Sequence, residues 1–96
     1  MKTNFQMLCD FAEYEFKHFG FISNEESKKV KEHFCIAERS NIDLQNLRDF
    51  VVMFYGNVAN SKREKGETEE SFKTMDKMSA IVAVIDDEKW NRGMEV

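Results

Sequence analysis

The sequence predicts an all-α protein, a small bundle of about four helices. The 96 residues contain no proline, the residue that breaks helix interiors. In residues 42–58, apolar side chains recur at intervals of three and four and so fall on one helix face. They are Leu44, Leu47, Val51, Phe54, Tyr55 and Val58, widened by Phe50 and Met53. A helix this apolar must be covered by other segments, so we expect it to be the central one.

The first two helices are predicted over residues 4–19 and 24–38. Thr3 or Asn4 can cap the first, and Gly20 follows its expected end. Its apolar stripe comprises Phe5, Leu8, Phe11, Phe16 and Phe19. Ser23 begins a capping box with Glu26, three residues on. The buried face of the second helix is predicted to comprise Val30, His33, Phe34 and Ala37.

The third and fourth helices are predicted over residues 42–65 and 68–89. Ser40 or Asn41 can cap the third, within which Gly56 would allow close approach of another helix. Residues 78–85 are apolar on nearly every side, a pattern that a buried helix and a buried strand share. Helix is favoured because the one candidate strand partner, residues 51–55, lies inside a helical pattern. The whole chain forms a single domain, predicted to fray from about residue 91.

Charge is unevenly distributed along the chain. The net charge is −4, and residues 66–96, with four basic and eight acidic side chains, account for a charge of −4 by themselves. An acidic balance argues against a general affinity for nucleic acid or anionic membranes. It favours a protein partner with a basic surface.

The N-terminus lacks the pattern of a signal peptide, and the longest apolar run is too short to cross a bilayer. We therefore expect a cytoplasmic protein, in the host cytoplasm if a phage encodes it. Cys9 and Cys35 are then expected to be reduced and buried.

Residues 36–50 have the spacing of a helix-turn-helix. Ile36 and Ala37 would lie within its first helix, Asn41 at the turn position usually held by glycine, and Ile42 at an apolar position. DNA contacts would come from Gln45, Asn46 and Arg48 to bases and from Lys28, Lys29 and Lys31 to phosphates. The spacing covers about fifteen residues and also fits two helices joined by a short polar turn. A small helix-turn-helix transcriptional regulator is therefore the alternative function.

Sequence motifs for catalysis, a metal or a cofactor are not apparent. His33 and Cys35 stand two apart, so they do not face each other on a helix. The acidic run 86–88 lacks the spacing of a calcium loop, and no phosphate-binding glycine motif or zinc spacing occurs. We therefore expect a protein that is not an enzyme and needs no cofactor. A third hypothesis, a small-molecule-binding oligomer, would use the basic cluster at residues 62–65.

The favoured hypothesis is a non-enzymatic interaction protein that binds a macromolecular partner and inhibits or regulates it. Phage inhibitors of host machinery, such as anti-defence proteins, are the class it fits best. Its wide apolar faces also permit a homodimer. The partner-binding residues are predicted in the acidic third of the chain: Glu69, Glu70, Phe72, Met75, Asp76 and Trp90.

Overall fold

The computed structural model describes residues 2–13, 24–63 and 69–94, without the side chains of residues 59, 61–63 and 69–74. Within these ranges the chain forms four α-helices and one short 3-10 helix, and no strand. The helices are α1 (Asn4–Ala12), α2 (Asn24–His33), α3 (Asn41–Arg63) and α4 (Glu69–Asn91), with the 3-10 helix at Ile36–Glu38 between α2 and α3. The predicted all-α bundle is confirmed.

Helix α1 begins where the sequence places it. The Thr3 hydroxyl accepts from the backbone N–H of Gln6 at 3.2 Å, and the Gln6 side chain accepts from the Thr3 backbone at 2.9 Å. This reciprocal capping box satisfies two N–H groups that the helix leaves unpaired. Met7, Leu8 and Phe11 then point into the core. The rest of the predicted first helix, with Gly20 and the Ser23 capping box, lies outside the described residues.

Helix α2 ends five residues earlier than predicted. Cys35 has a left-handed backbone with φ of 53°, which an α-helix cannot accommodate. The chain turns there and continues as the 3-10 helix, whose Ile36 is completely buried. Val30 and Phe34 face the core as expected, whereas Ala37 is exposed and Glu26 is buried instead.

Helices α3 and α4 lie side by side and form the main contact of the fold. Ser40 caps α3 by accepting from the backbone N–H of Asp43 at 3.2 Å. The buried stripes of the two helices meet in one core, formed by Leu44, Leu47, Val51 and Tyr55 with Ile81, Val84 and Ile85. Residues 78–85 are helical, as predicted.

Other expectations, about α3 and about the two cysteines, are wrong. Ile42 is 76% exposed and Met53 is 57% exposed, because the core lies against the opposite side of α3. Among the described residues, a Cβ added to Gly56 would meet no atom within 4 Å, so none of the other described helices approaches it. Cys9 and Cys35 are also exposed rather than buried.

The link between α2 and α3 is held by two arginines from different parts of the fold. The Arg39 side chain, only 9% exposed, donates to the Phe34 carbonyl at 2.7 Å and to Asn4 at 3.1 Å. Arg92, after the end of α4, donates to the carbonyl oxygens of Arg39 at 2.7 Å and Ile36 at 3.2 Å. Buried carbonyls of an irregular segment need such partners.

Candidate functional site

The outward side of α4 is the candidate site. Residues 80, 81, 84 and 85 of this helix are buried, so the opposite side faces solvent. Five residues at successive intervals of three and four define this α4 outer face: Asp76, Ser79, Ala83, Asp87 and Trp90. Asp76 is half-buried and the other four are exposed. From Asp76 to Trp90 the face extends about 21 Å along the helix.

Trp90 dominates this face, since its large side chain is 74% exposed. An exposed carboxylate, that of Asp87, lies three residues earlier in the sequence, which places it on the adjacent turn. A rigid aromatic group beside negative charge can bind an aliphatic stem and an ammonium or guanidinium group together.

The helix end that carries Trp90 is firmly held. The N–H of Met94 donates to the Lys89 carbonyl at 2.8 Å, and the N–H of Gly93 donates to the Trp90 carbonyl at 3.0 Å. With Gly93 at φ of 75°, these bonds form a Schellman motif. In the segment predicted to fray from about residue 91, Gly93 and Met94 thus make the two hydrogen bonds of this helix end.

Only part of the predicted partner-binding set falls among the described side chains. Met75 is 41% exposed and Asp76 is half-buried, on the same helix as Trp90. The side chains of Glu69, Glu70 and Phe72 lie outside the description. The prediction missed Ser79, Ala83 and Asp87. Counting back from Trp90 in steps of three and four finds them, once the helix is known to continue to Asn91.

Two of the residues predicted to read DNA bases are bound to α4 instead. Arg48 donates to Asp86, with Nε 2.9 Å from Oδ1. Gln45 accepts from the Lys89 ammonium at 2.6 Å and donates to Asp49 at 3.0 Å. These contacts occupy the groups that would have to meet base edges, whereas Asn46 remains exposed.

The segment with helix-turn-helix spacing has a different local structure from the one expected. Ile36 and Ala37 belong to the 3-10 helix, and Asn41 is the first residue of α3 rather than a left-handed turn residue. The left-handed position is Cys35. Lys28, Lys29 and Lys31 are exposed on α2, where lysines are normally solvated.

A cavity of about 420 Å³ between α1 and α2 is lined by charged and aromatic side chains: Asp10, Phe11, Lys29, Glu32 and His33. His33 Nε2 lies 2.9 Å from the Met7 carbonyl. A carbonyl only accepts, so this nitrogen carries a proton and is engaged in holding α2 to α1. A hydrogen bond from Lys2 lowers the pKa of Asp10. The lining groups are thus largely committed to contacts within the bundle.

The described residues contain no group of three or more His, Cys, Asp or Glu side chains arranged to hold a metal ion. Among the same residues, none of the helices combines the length and the apolar character needed to span a bilayer.

No family model matches the chain, and neither a curated protein nor a solved structure matches it. The function of the α4 outer face therefore has to be inferred from its own chemistry.

Proposed function

We propose that this protein is a non-enzymatic interaction protein that binds a basic surface of a protein partner through its α4 outer face. The observation that carries the proposal is Trp90, 74% exposed on a helix end that the Schellman motif holds in place. A tryptophan side chain has only two rotatable χ angles, so it loses little conformational entropy when a partner covers it. Such residues are typical anchors of protein interfaces.

The negative charge of the α4 outer face favours a basic partner. The α4 outer face has a carboxylate near each end, Asp76 and Asp87, and no basic residue among its five members. The wider segment 66–96 has a net charge of −4. Complementary charge speeds the encounter and excludes acidic competitors. Glu69 and Glu70 extend the same acidic character along the sequence of α4.

The protein would act by occupying the surface that it covers. If that surface normally binds nucleic acid or another acidic ligand, its occupation inhibits the partner. Among phage inhibitors, the protein would resemble the anti-defence proteins that block nucleic-acid sites. It needs no catalytic group in the bundle, only a stable helix that presents its charges and its aromatic anchor together.

The experiment is affinity capture from host lysate, followed by measurement of the captured protein's affinity for purified variants. Trp90→Ala and the charge reversals Asp87→Lys and Asp76→Lys should each weaken binding at least about tenfold. Glu25→Lys, a reversal of an exposed charge on α2, is the matched control and should retain wild-type affinity. Circular dichroism verifies that each variant is folded.

Equal affinity of wild type, Trp90→Ala and Asp87→Lys for the captured protein would refute the proposal. Fluorescence anisotropy with duplex DNA tests the alternative. Binding that weakens steeply with salt and is lost in Asn46→Ala or Lys28→Ala would support DNA recognition in place of a basic protein partner.

A further inference from the structure

The exposed side of α3 has the spacing of a coiled-coil seam. Ile42, Asn46, Asp49 and Met53 follow one another at intervals of four, three and four residues, the alternation of core positions in a heptad. All four are exposed, Ile42 and Met53 to 76% and 57%. We call these four residues the α3 seam. It lies on the side of α3 opposite to Leu44, Leu47 and Val51, which are buried in the core.

We propose that the α3 seam pairs with the α3 seam of a second copy, in antiparallel orientation. A two-fold axis then relates the helices, and each contact occurs twice. In the register centred between Asn46 and Asp49, Ile42 of one copy lies opposite Met53 of the other. In the same register Asn46 lies opposite Asp49. Each apolar side chain of one copy therefore meets an apolar side chain of the other, and each polar side chain meets a polar one.

Charge decides the orientation. A parallel pair would set Asp49 against Asp49 of the second copy, two like charges facing each other across the seam. The antiparallel register instead sets the Asn46 amide, a donor, against the Asp49 carboxylate, an acceptor. Gln45 already donates to this carboxylate at 3.0 Å, which holds it in a defined direction. Antiparallel helices also oppose their dipoles.

The area of the seam sets the expected strength. Eleven residues separate Ile42 from Met53, about 17 Å along the helix. Two helices in contact over this length bury much less surface area than the roughly 1,200–2,000 Å² that stable interfaces bury. The exposed Val52 beside the seam enlarges it only slightly. The expected product is a reversible dimer with a Kd on the order of 10–100 µM.

Sedimentation equilibrium between about 5 µM and 1 mM protein tests the proposal. Wild type should change from monomer to dimer across this range. Met53→Asp should raise Kd at least about tenfold, since it places a carboxylate against Ile42. Met75→Asp changes a methionine of comparable exposure on α4 and should leave Kd unchanged. Circular dichroism and urea unfolding show whether each variant keeps its fold.

The outcomes are decisive in both directions. A wild-type chain that stays monomeric at 1 mM overturns the proposal, and so does a dimer that Met53→Asp leaves intact. Asn46→Lys adds a test of orientation. In the antiparallel register the introduced ammonium meets Asp49 of the second copy and tightens the dimer. In a parallel register it meets the same ammonium of the second copy, and the dimer weakens.

Disulfide trapping determines the register. In a background with Cys9→Ser and Cys35→Asn, Ile42→Cys and Met53→Cys proteins are oxidised separately and as a mixture. The antiparallel register predicts a cross-linked dimer in the mixture and not in either protein alone, since disulfides need Cα atoms within about 7 Å. Cross-linking of Ile42→Cys by itself would contradict the register.

The dimer is independent of the basic partner proposed above. Trp90→Ala should weaken partner binding and leave the dimer Kd unchanged. Met53→Asp should raise the dimer Kd and leave the α4 outer face unaltered. Failure of one proposal is therefore distinguishable from failure of the other.

Discussion

Arg92 Nη1 lies 2.7 Å from the carbonyl oxygen of Arg39, a residue 53 positions earlier in the chain. The same guanidinium reaches the carbonyls of Ile36 and Ala37, at 3.2 and 3.3 Å, and its Nε donates to Glu88 at 3.0 Å. The end of α4 thereby holds the irregular link between α2 and α3. One planar cation with five N–H donors can serve these acceptors together, whereas an ammonium has only three donors.

Replacing Arg92 should therefore destabilise the whole bundle. Arg92→Ala leaves three carbonyls of the link without this donor, and we expect the free energy of unfolding to fall by about 2–3 kcal/mol. Arg92→Lys should recover only a minor part of that loss. Urea unfolding followed by circular dichroism measures both. Lys28→Ala, on the exposed side of α2, should stay within about 0.5 kcal/mol of wild type. Equal stability of Arg92→Ala and Lys28→Ala would mean that Arg92 does not clamp the link.

The Arg48–Asp86 ion pair should contribute modestly to stability. Both side chains are partly accessible, 31% and 24%, so solvent screens their attraction. A double-mutant cycle with Arg48→Ala and Asp86→Ala should give a coupling energy of about 0.5–1 kcal/mol. The coupling should shrink in 1 M salt. A coupling energy near zero at low salt would show that the ion pair does not help to hold α3 and α4 together.

Glycine at position 35 should stabilise the protein. Cys35 adopts φ of 53°, where residues other than glycine, asparagine and aspartate are strained by about 1 kcal/mol. We expect Cys35→Gly to raise the free energy of unfolding by up to about 1 kcal/mol. Cys9→Gly is the matched control, because Cys9 is exposed inside α1, and glycine there should cost roughly 0.3–0.5 kcal/mol, since cysteine is itself a weaker helix former than alanine. Thermal or urea unfolding of the two variants should shift in opposite directions, and a shift in the same direction would contradict the prediction.

The hydroxyl of Tyr55 is buried and lacks a hydrogen-bond partner in the part of the chain that the structure describes. Burial raises the pKa of this hydroxyl above its ordinary value of 10.0, with a smaller effect from negative charge at Cys9. Below about pH 10 the folded and unfolded states both keep the proton, so stability is unaffected. Above it, the unfolded state ionises while the folded state stays neutral, and the free energy of unfolding falls as the pH rises.

Tyr55→Phe isolates this effect. At pH 7 the variant should be as stable as wild type or up to about 1 kcal/mol more stable, since no hydrogen bond of the described residues is lost. Between pH 10 and 11 the wild type should lose stability faster, by up to about 1.4 kcal/mol per pH unit. Unfolding by urea at each pH measures the difference, and ultraviolet absorbance of phenolate follows the ionisation. Parallel pH profiles for the two proteins would contradict the raised pKa.

Part of the candidate site could be predicted from the sequence. Trp90, Met75 and Asp76 were predicted as partner-binding residues, and they lie on the outward or half-exposed sides of α4. Ser79, Ala83 and Asp87 were missed because the predicted helix ended at residue 89, which left Trp90 outside the helix and so did not place it on one face with them. The sequence did not show that Arg48 contacts Asp86 or that Gln45 contacts Lys89, because each partner lies about 40 residues away in the chain. It therefore gave no reason to reject the predicted DNA-reading role of Arg48 and Gln45.

The sequence by itself determined the helical class, the approximate positions of the helices, a cap of α1 at Thr3 or Asn4 and the buried stripe of α3. These features depend on local periodicity and on contacts within three or four residues, which the chain displays directly. Only the tertiary structure decided that Cys35 reverses the backbone, that Ile42 and Met53 face solvent, and that Arg39 and Arg92 hold the link. These depend on which surfaces meet, and an apolar or charged side chain looks the same in sequence whether its partner is a neighbour, a distant helix or water.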